Sequence, residues 1–132
     1  MESFIVNTPD RNIIVNITRQ IQDQVDISRL KDGVCYVFVP HTTAGVTINE
    51  SADPDVRTDI TNQMLKVIPP NNNYLHSEGN SDSHIKTSLV GSSEIIFIEN
   101  GKLKLGTWQG VFLCEFDGPR RRQVWLKLIP SE

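Results

Sequence analysis

The C-terminal third of the chain is the part that most constrains the fold. Three apolar, β-branched runs, "EIIFIEN", "TWQGVFLCEF" and "RQVWLKLI", are separated by Asn100-Gly101 and Asp117-Gly118. Runs of this length predict strands, and dipeptides of this type predict tight turns between them. Because only antiparallel neighbours can be joined by so short a connection, the pattern predicts a largely antiparallel sheet.

The rest of the chain adds both strands and helices. Asp53 followed by Pro54 predicts a helix start, Thr18 and Ser81 are possible N-caps of two further helices, and Gly91 is a possible C-cap. The run 34–40 is almost continuously apolar, which predicts a strand buried on both faces. The predicted strands are 12–18, 34–40 and 45–50, and the predicted helices are 18–30, 53–68 and 81–91. A length of 132 residues fits one α+β domain, 1–132, with two or three helices packed on the sheet.

Composition narrows the class of partner and the compartment. The net charge of −3 argues against binding to nucleic acid or to an anionic membrane, both of which need a basic surface. The N-terminus lacks a signal-peptide pattern, and no run approaches the ~20 apolar residues of a membrane span. Cys35 and Cys114 lie inside strand-like runs, so we expect them to be reduced and packed, and we expect a cytoplasmic protein.

All three histidines, His41, His76 and His84, lie at the ends of predicted elements or in loops. Three interpretations stay open from the residues alone: unrelated surface histidines, a three-histidine metal site, or acid/base roles without a metal. The spacing of His76 and His84 is not that of a zinc-binding helix, which places two histidines four residues apart. A metal site would therefore have to be assembled from separate segments.

His84 falls in the first turn of the helix predicted at 81–91. The partial positive charge of a helix N-terminus disfavours imidazolium, and neutral imidazole is the form that binds metal. The same helix start, with its free N–H groups and the hydroxyls of Ser81 and Ser83, is also suited to holding a phosphate.

Three charged residues near these segments are further candidates. Glu50 either orients a histidine, acts as a general acid or base, or is a solvated side chain near a helix start. Asp82 either takes part in catalysis or complements the helix dipole. Arg120 either grips a phosphate with its forked guanidinium or belongs to a solvated hairpin arm.

Three long segments resemble one known family. They are "VFVPHTTAGVTINESADPDV", "HSEGNSDSHIKTSLVGSS" and "ENGKLKLGTWQGVFLCEFDGPRRRQV", and the resemblance runs from about Ile14 to Leu128. The chain is similar to the YjbQ family, also called UPF0047 or the secondary thiamine-phosphate synthase family. This resemblance implies an α+β domain with a β-sandwich-like core that assembles as a homotrimer.

The resemblance also implies a site and an activity. The site would contain His41, His76 and His84 as ligands of a divalent metal, with zinc expected and magnesium as the alternative. The activity would join hydroxymethylpyrimidine diphosphate to thiazole phosphate and release diphosphate, so the expected partner is a small phosphorylated substrate. Histidines prefer zinc, whereas diphosphate departure usually goes with magnesium on carboxylates. A metal-dependent hydrolase or lyase on a small phosphorylated or heterocyclic compound, and a non-catalytic metal-binding or ligand-binding trimer, are therefore kept as alternatives.

Overall fold

The computed structural model describes residues 1–132 and contains eight strands and three helices. The strands are Glu2–Thr8 (β1), Ile13–Asn16 (β2), Gly33–Phe38 (β3), Ala44–Glu50 (β4), Ser93–Glu99 (β5), Lys102–Leu103 (β6), Gln109–Glu115 (β7) and Arg120–Pro130 (β8). The helices are Thr18–Ser28 (α1), Pro54–Val67 (α2) and Ser81–Val90 (α3).

The strands form two antiparallel sheets with the orders β1-β8-β3-β5-β6 and β2-β7-β4. A single cluster of 15 buried apolar residues draws side chains from both sheets and from α1. Two antiparallel sheets that share one core, with helices packed against them, confirm the predicted α+β, sandwich-like architecture.

The N-terminal strand β1 was not among the predicted elements. Glu2 pairs with Leu126 and Thr8 pairs with Arg120, so β1 forms the edge of the larger sheet beside β8. Val6 and Thr8 point inward and are buried. Alternation of this kind is the pattern of a half-buried strand, and "ESFIVNT" carries it in the sequence.

The two predicted turns have different outcomes. Asn100 and Gly101 both adopt positive φ, 52° and 77°, and form the predicted turn, but the hairpin joins β5 to the short strand β6, which was not predicted, and not to β7. Asp117-Gly118 does not close a hairpin, because β7 belongs to the three-stranded sheet and β8 to the five-stranded sheet. The chain crosses here from one sheet to the other.

The prediction that residues 34–40 are buried on both faces is wrong. Burial in β3 alternates, with Cys35 and Val37 in the core and their neighbours facing outward. The outer face of the five-stranded sheet nevertheless carries large apolar side chains, which explains the continuous apolar run. We call the following residues the outer sheet face: Tyr36, Phe38, Ile95 and Phe97, which are 40%, 44%, 57% and 66% exposed.

The bounds of the three helices differ from the predicted bounds by at most two residues, but two of the predicted N-caps are wrong. The Asp53 side chain accepts the backbone N–H of Asp55 at 2.9 Å, which confirms the predicted cap of α2. The N-cap of α1 is Ile17, not Thr18, and the N-cap of α3 is Asn80, not Ser81. None of the three helices combines the length and the apolar character that a membrane crossing requires.

Both cysteines are free and buried, as predicted. Burial raises the pKa of the Cys35 thiol to about 11 and that of the Cys114 thiol to about 12. Neither thiol is therefore ionised near neutral pH, and both behave as small apolar core residues.

Candidate functional site

Helix α3 separates the predicted site residues onto different sides. Asp82 and Ser83 are fully buried, whereas His84 is half-buried and faces an open cavity. Successive residues of an α-helix point about 100° apart, so neighbouring side chains in one turn cannot share a direction. The predicted cluster 81–84 is thus divided between the protein interior and the solvent.

The open side of α3 holds two of the three histidines. The rings of His76 and His84 meet edge to face, with their centroids 5.6 Å apart. They line a cavity of about 550 Å³, whose walls are Tyr74, Leu75, His76, Ser81, His84 and Ile85. We call this cavity the α3 site.

Ser81 is the only one of the two predicted phosphate-binding serines that lies in the α3 site. It is the first helical residue, and the Asn80 side chain before it makes no capping hydrogen bond. The Ser83 hydroxyl is buried and donates to the backbone oxygen of Phe116. Ser83 therefore anchors α3 to the end of β7 and does not face the cavity.

The buried side of α3 is an ion-pair network. One oxygen of Asp82 accepts from the guanidinium of Arg11 at 3.0 Å, and the other accepts from the ammonium group of Lys86 at 3.2 Å. Lys86 also donates to the side-chain oxygen of Asn12 and is fully buried. These contacts account for Asp82 as a structural group, and its predicted catalytic role stays a prediction.

A second buried network joins the end of β7 to the start of β8. The Glu115 carboxylate accepts from two guanidinium nitrogens of Arg122, from the Thr8 hydroxyl and from the backbone N–H of Asp117. Arg122 also donates to the oxygens of Thr43. Burial of Glu115 raises its pKa, but these hydrogen bonds outweigh it, so the pKa of this carboxyl lies below its usual range.

Arg120 lies at the surface next to this network. Its guanidinium donates to Asp117, which also accepts from the amide group of Asn80 at 2.9 Å. Desolvation raises the pKa of Asp117. The hydrogen bonds from Asn80 and Arg120 lower it by more, so the net shift of the pKa is downward. Because Asn80 is the N-cap of α3, this chain of contacts places Arg120 at the same end of the molecule as the start of α3.

His41 lies apart from the other two histidines, just beyond the end of β3. Its Nε2 atom accepts the backbone N–H of Gln123 at 2.9 Å. Partial burial lowers the pKa of the imidazole, and the positive charges of Arg122 and Arg120 lower it further. The charge of Glu115 and the backbone contact with Gln123 raise it, and the net shift is downward. The neutral ring is therefore the favoured form at neutral pH.

Glu50 does not approach the histidines. It pairs with Gln109 at one end of β4 and β7, whereas Ala44 pairs with Glu115 at the other end, roughly 20 Å away along the strand. The Glu50 carboxylate accepts the backbone N–H of Ala52 at 2.9 Å in the loop that leads to α2. This contact helps to order the loop, and the predicted catalytic role of Glu50 stays a prediction.

The side chains of a single chain do not form the three-histidine metal site that the family resemblance implies. No group of three or more His, Cys, Asp or Glu side chains lies close enough together to hold a metal ion. His76 and His84 supply two donors, whereas zinc sites take three or four protein ligands. The donor set within one chain therefore does not fit a zinc ion.

Three important residues were missed by reasoning from the sequence. The "RRR" run pointed to Arg120, but the buried and most connected member is Arg122. Its partner Glu115 is the last residue of an apolar strand. Because a charged residue is rarely buried unless it is paired, a charged residue at an inward position of such a strand could have predicted the buried pair. Arg11, which reaches Asp82 from a loop 71 residues away, leaves no local pattern in the sequence.

A second cavity, of about 320 Å³, lies between β2 and α2. Its walls include Asn12, Arg57 and Thr61, and it contains none of the predicted site residues. The α3 site is larger and gathers the histidines, so the candidate function is assigned there.

Comparison with known proteins places this fold and site in one family. The family model described as "UPF0047 protein YjbQ-like" matches residues 2–131. The UPF0047 protein MJ1081 of Methanocaldococcus jannaschii is 54% identical over 96% of this chain and 91% of its own length. UPF0047 protein YugU of Bacillus subtilis is 41% identical over 98% of both chains.

Solved structures agree with the sequence comparisons. A YjbQ/UPF0047 protein from Clostridium acetobutylicum superposes with a TM-score of 0.95 at 53% identity, covering 98% of this chain and 100% of its own. A protein of unknown function from Sulfolobus solfataricus superposes with a TM-score of 0.93 at 30% identity, covering 98% and 96% of the two chains. The chain therefore belongs to the YjbQ-like UPF0047 family.

Proposed function

We propose that this protein is an enzyme that acts on a small phosphorylated compound in the α3 site. The observation that carries the proposal is the pair of histidines, His76 and His84, in contact across a cavity that also opens onto the first helical residue, Ser81. The cavity volume of about 550 Å³ is in the range of small-molecule sites. Imidazoles are the usual proton-transfer groups at neutral pH, and a helix start without a side-chain cap offers N–H groups to an anion.

The specific reaction we propose is the one that the family resemblance implies, the synthesis of thiamine phosphate. The nitrogen of thiazole phosphate bonds to the methylene carbon of hydroxymethylpyrimidine diphosphate, whose carbon–oxygen bond breaks to release diphosphate. The leaving group gains negative charge, so its departure is assisted by fixed donors and positive charge. Helix α3 supplies N–H groups at the cavity, and Arg120 supplies a half-exposed guanidinium at the same end of the molecule.

A second candidate function rests on the contact between the two histidine rings. Two adjacent imidazoles are a partial ligand set for zinc, and a zinc-bound water suits hydrolysis or elimination better than it suits diphosphate transfer. The alternative is therefore a metal-dependent hydrolase or lyase on a phosphorylated or heterocyclic compound. It requires at least one further ligand from outside this pair.

The test is complementation of a strain that lacks thiamine-phosphate synthase, together with thiamine phosphate formation by the purified protein. We expect His76→Ala and His84→Ala to abolish both, and Asn62→Ala, in the cavity between β2 and α2, to leave both intact. Zinc content per chain is measured on the same variants. Thiamine phosphate formation that persists in both histidine variants would overturn the catalytic assignment, and ligand binding without turnover would identify a binding protein instead.

We also propose that copies of the chain associate through the outer sheet face, as a homotrimer. Its four apolar side chains lie on the paired strands β3 and β5 and are 40–66% exposed, so they form one apolar patch without a partner in the chain. Phe97→Lys should reduce the mass measured by light scattering to that of one chain, whereas Ile27→Lys, on the exposed side of α1, should not. A wild-type protein that is monomeric at micromolar concentration would refute the proposal.

The proposed compartment is the cytoplasm. Both thiols are free, which agrees with a reducing environment.

A further inference from the structure

We propose that His41 is a fixed, neutral hydrogen-bond donor that presents Nδ1–H to an oxygen of the ligand, and that it is not a metal ligand. The ligand part of this inference deepens the proposed function, because the oxygen belongs to the phosphorylated substrate. The part that concerns the imidazole itself stands independently, on the contacts of the ring.

The position of the proton on His41 is set by its neighbour on β8. The backbone N–H of Gln123 points at Nε2 of His41 at 2.9 Å, and a backbone N–H can only donate. Nε2 must therefore present its lone pair. A neutral imidazole carries one proton, which then lies on Nδ1.

This tautomer leaves His41 unable to bind a metal. A metal takes the lone pair of one ring nitrogen, and the hydrogen bond of the other nitrogen decides which one is free. In His41 the lone pair of Nε2 is used by Gln123, and Nδ1 carries the proton. No lone pair is left for a metal, which agrees with the absence of any three-residue metal-binding group in the chain.

The imidazole of His41 is held firmly by the larger sheet. The donor is a main-chain group of β8, and Gln123 pairs with Ile5 of β1, so this N–H cannot turn away without disturbing the sheet. The Gln123 side chain is itself engaged, because it accepts the indole N–H of Trp125 at 3.0 Å. The tautomer of His41 is thus set by the sheet.

The Nδ1–H group of His41 is open to a ligand. It has no hydrogen-bond partner within the chain, and His41 is only half-buried. The charged groups next to the ring are two ion pairs, Arg122 with Glu115 and Arg120 with Asp117, and of these four side chains the Arg120 guanidinium is the most exposed. An imidazole N–H beside this exposed guanidinium favours an anionic acceptor, of which a phosphate oxygen is the one that the proposed function supplies.

The tautomer is tested directly by long-range ¹H–¹⁵N correlation spectra of the ¹⁵N-labelled protein. Only three histidines are present, and each is assigned by its substitution. We expect a protonated Nδ1 and an unprotonated Nε2 for His41 at neutral pH, with neither resonance shifted by one equivalent of zinc. A protonated Nε2, or a zinc-dependent shift of either His41 nitrogen, would overturn the inference.

The donor role is tested by two matched substitutions with inorganic diphosphate as the probe. The amide nitrogen of Asn lies near the position of imidazole Nδ1, and that of Gln lies near Nε2. His41→Asn should therefore keep diphosphate affinity close to wild type, whereas His41→Gln should lose about tenfold by calorimetry, the value of one hydrogen bond to a charged acceptor. Equal affinities for the two variants, or the reverse order, would refute the donor role.

Thermal unfolding of both variants shows whether they are folded before binding is compared. If the proposed function is wrong, neither the wild type nor any variant forms thiamine phosphate. The tautomer of His41 and the order of the diphosphate affinities are then unchanged, which distinguishes this result from a failure of the inference about His41.

Discussion

Two ion pairs near the start of β8 have the same chemistry and opposite surroundings. The side chains of Arg122 and Glu115 are 5% and 0% exposed, whereas those of Arg120 and Asp117 are 52% and 14% exposed. Both carboxylate oxygens of Glu115 accept hydrogen bonds from Arg122 inside the protein. Asp117 accepts a hydrogen bond from Arg120, whose guanidinium is also in contact with solvent. The difference teaches which arginine of the "RRR" run holds the fold together and which one is available to a ligand.

The largest expected effect is that of breaking the buried pair. Arg122→Met leaves the Glu115 charge buried without its main partner, which should lower the free energy of unfolding by about 3–5 kcal/mol. Urea unfolding measures the loss. The double variant Arg122→Met, Glu115→Leu should regain most of it, because the uncompensated charge is gone. A double variant as unstable as the single one would show that the pairing is not the cause.

The next effect is the response to acid. Because the folded-state pKa of Glu115 lies below its usual 4.5, its contribution to stability is present above about pH 4.5 and is lost as the pH falls through the folded-state value. The same direction holds for Asp117. In acid, the free energy of unfolding should depend less on pH in Glu115→Gln than in Asp117→Asn. Urea unfolding at stepwise pH measures this dependence. An equal dependence on pH in the two variants would contradict the contrast between the two pairs.

The smallest effect on stability is expected for the outer pair. Arg120→Ala should change the free energy of unfolding by no more than about 1 kcal/mol, because an exposed pair contributes little. If Arg120 is the exposed cation of the site, the same variant should weaken diphosphate binding, whereas Arg121→Ala, its exposed neighbour on the strand, should not. Equal weakening by both variants would reduce the role of Arg120 to general surface charge.

The sequence was informative where local chemistry decides the structure. Asp53 with Pro54 located the start of α2, and Asn100-Gly101 located the β5–β6 hairpin, because a cap and a type of turn depend on a few adjacent residues. Asp117-Gly118 predicted a turn correctly but could not show that β7 and β8 enter different sheets. Sheet membership depends on partners that are distant in the chain, and no short motif records it.

The site shows the same limit. The resemblance to a family identified all three histidines, and the fold brings His76 and His84 together, but the position of His41 depends on the backbone of a strand 82 residues later. The burial of Asp82 and Ser83 likewise depends on Arg11 and Phe116, which come from distant segments. Residue type and spacing can suggest a role, but only the fold shows which atoms are already occupied.

The pairing of the first strand with the last has a consequence for how the protein is made. Glu2 of β1 pairs with Leu126 of β8, and Gly33 of β3 pairs with Pro130 of β8. Neither pairing can form before β8 has been made. During synthesis the larger sheet therefore lacks the strand that lies between β1 and β3 until residues 120–130 have been made. Contacts between such distant residues slow folding and leave strand edges open to other nascent chains. We expect the larger sheet to form in a single late step that begins when β8 has been made.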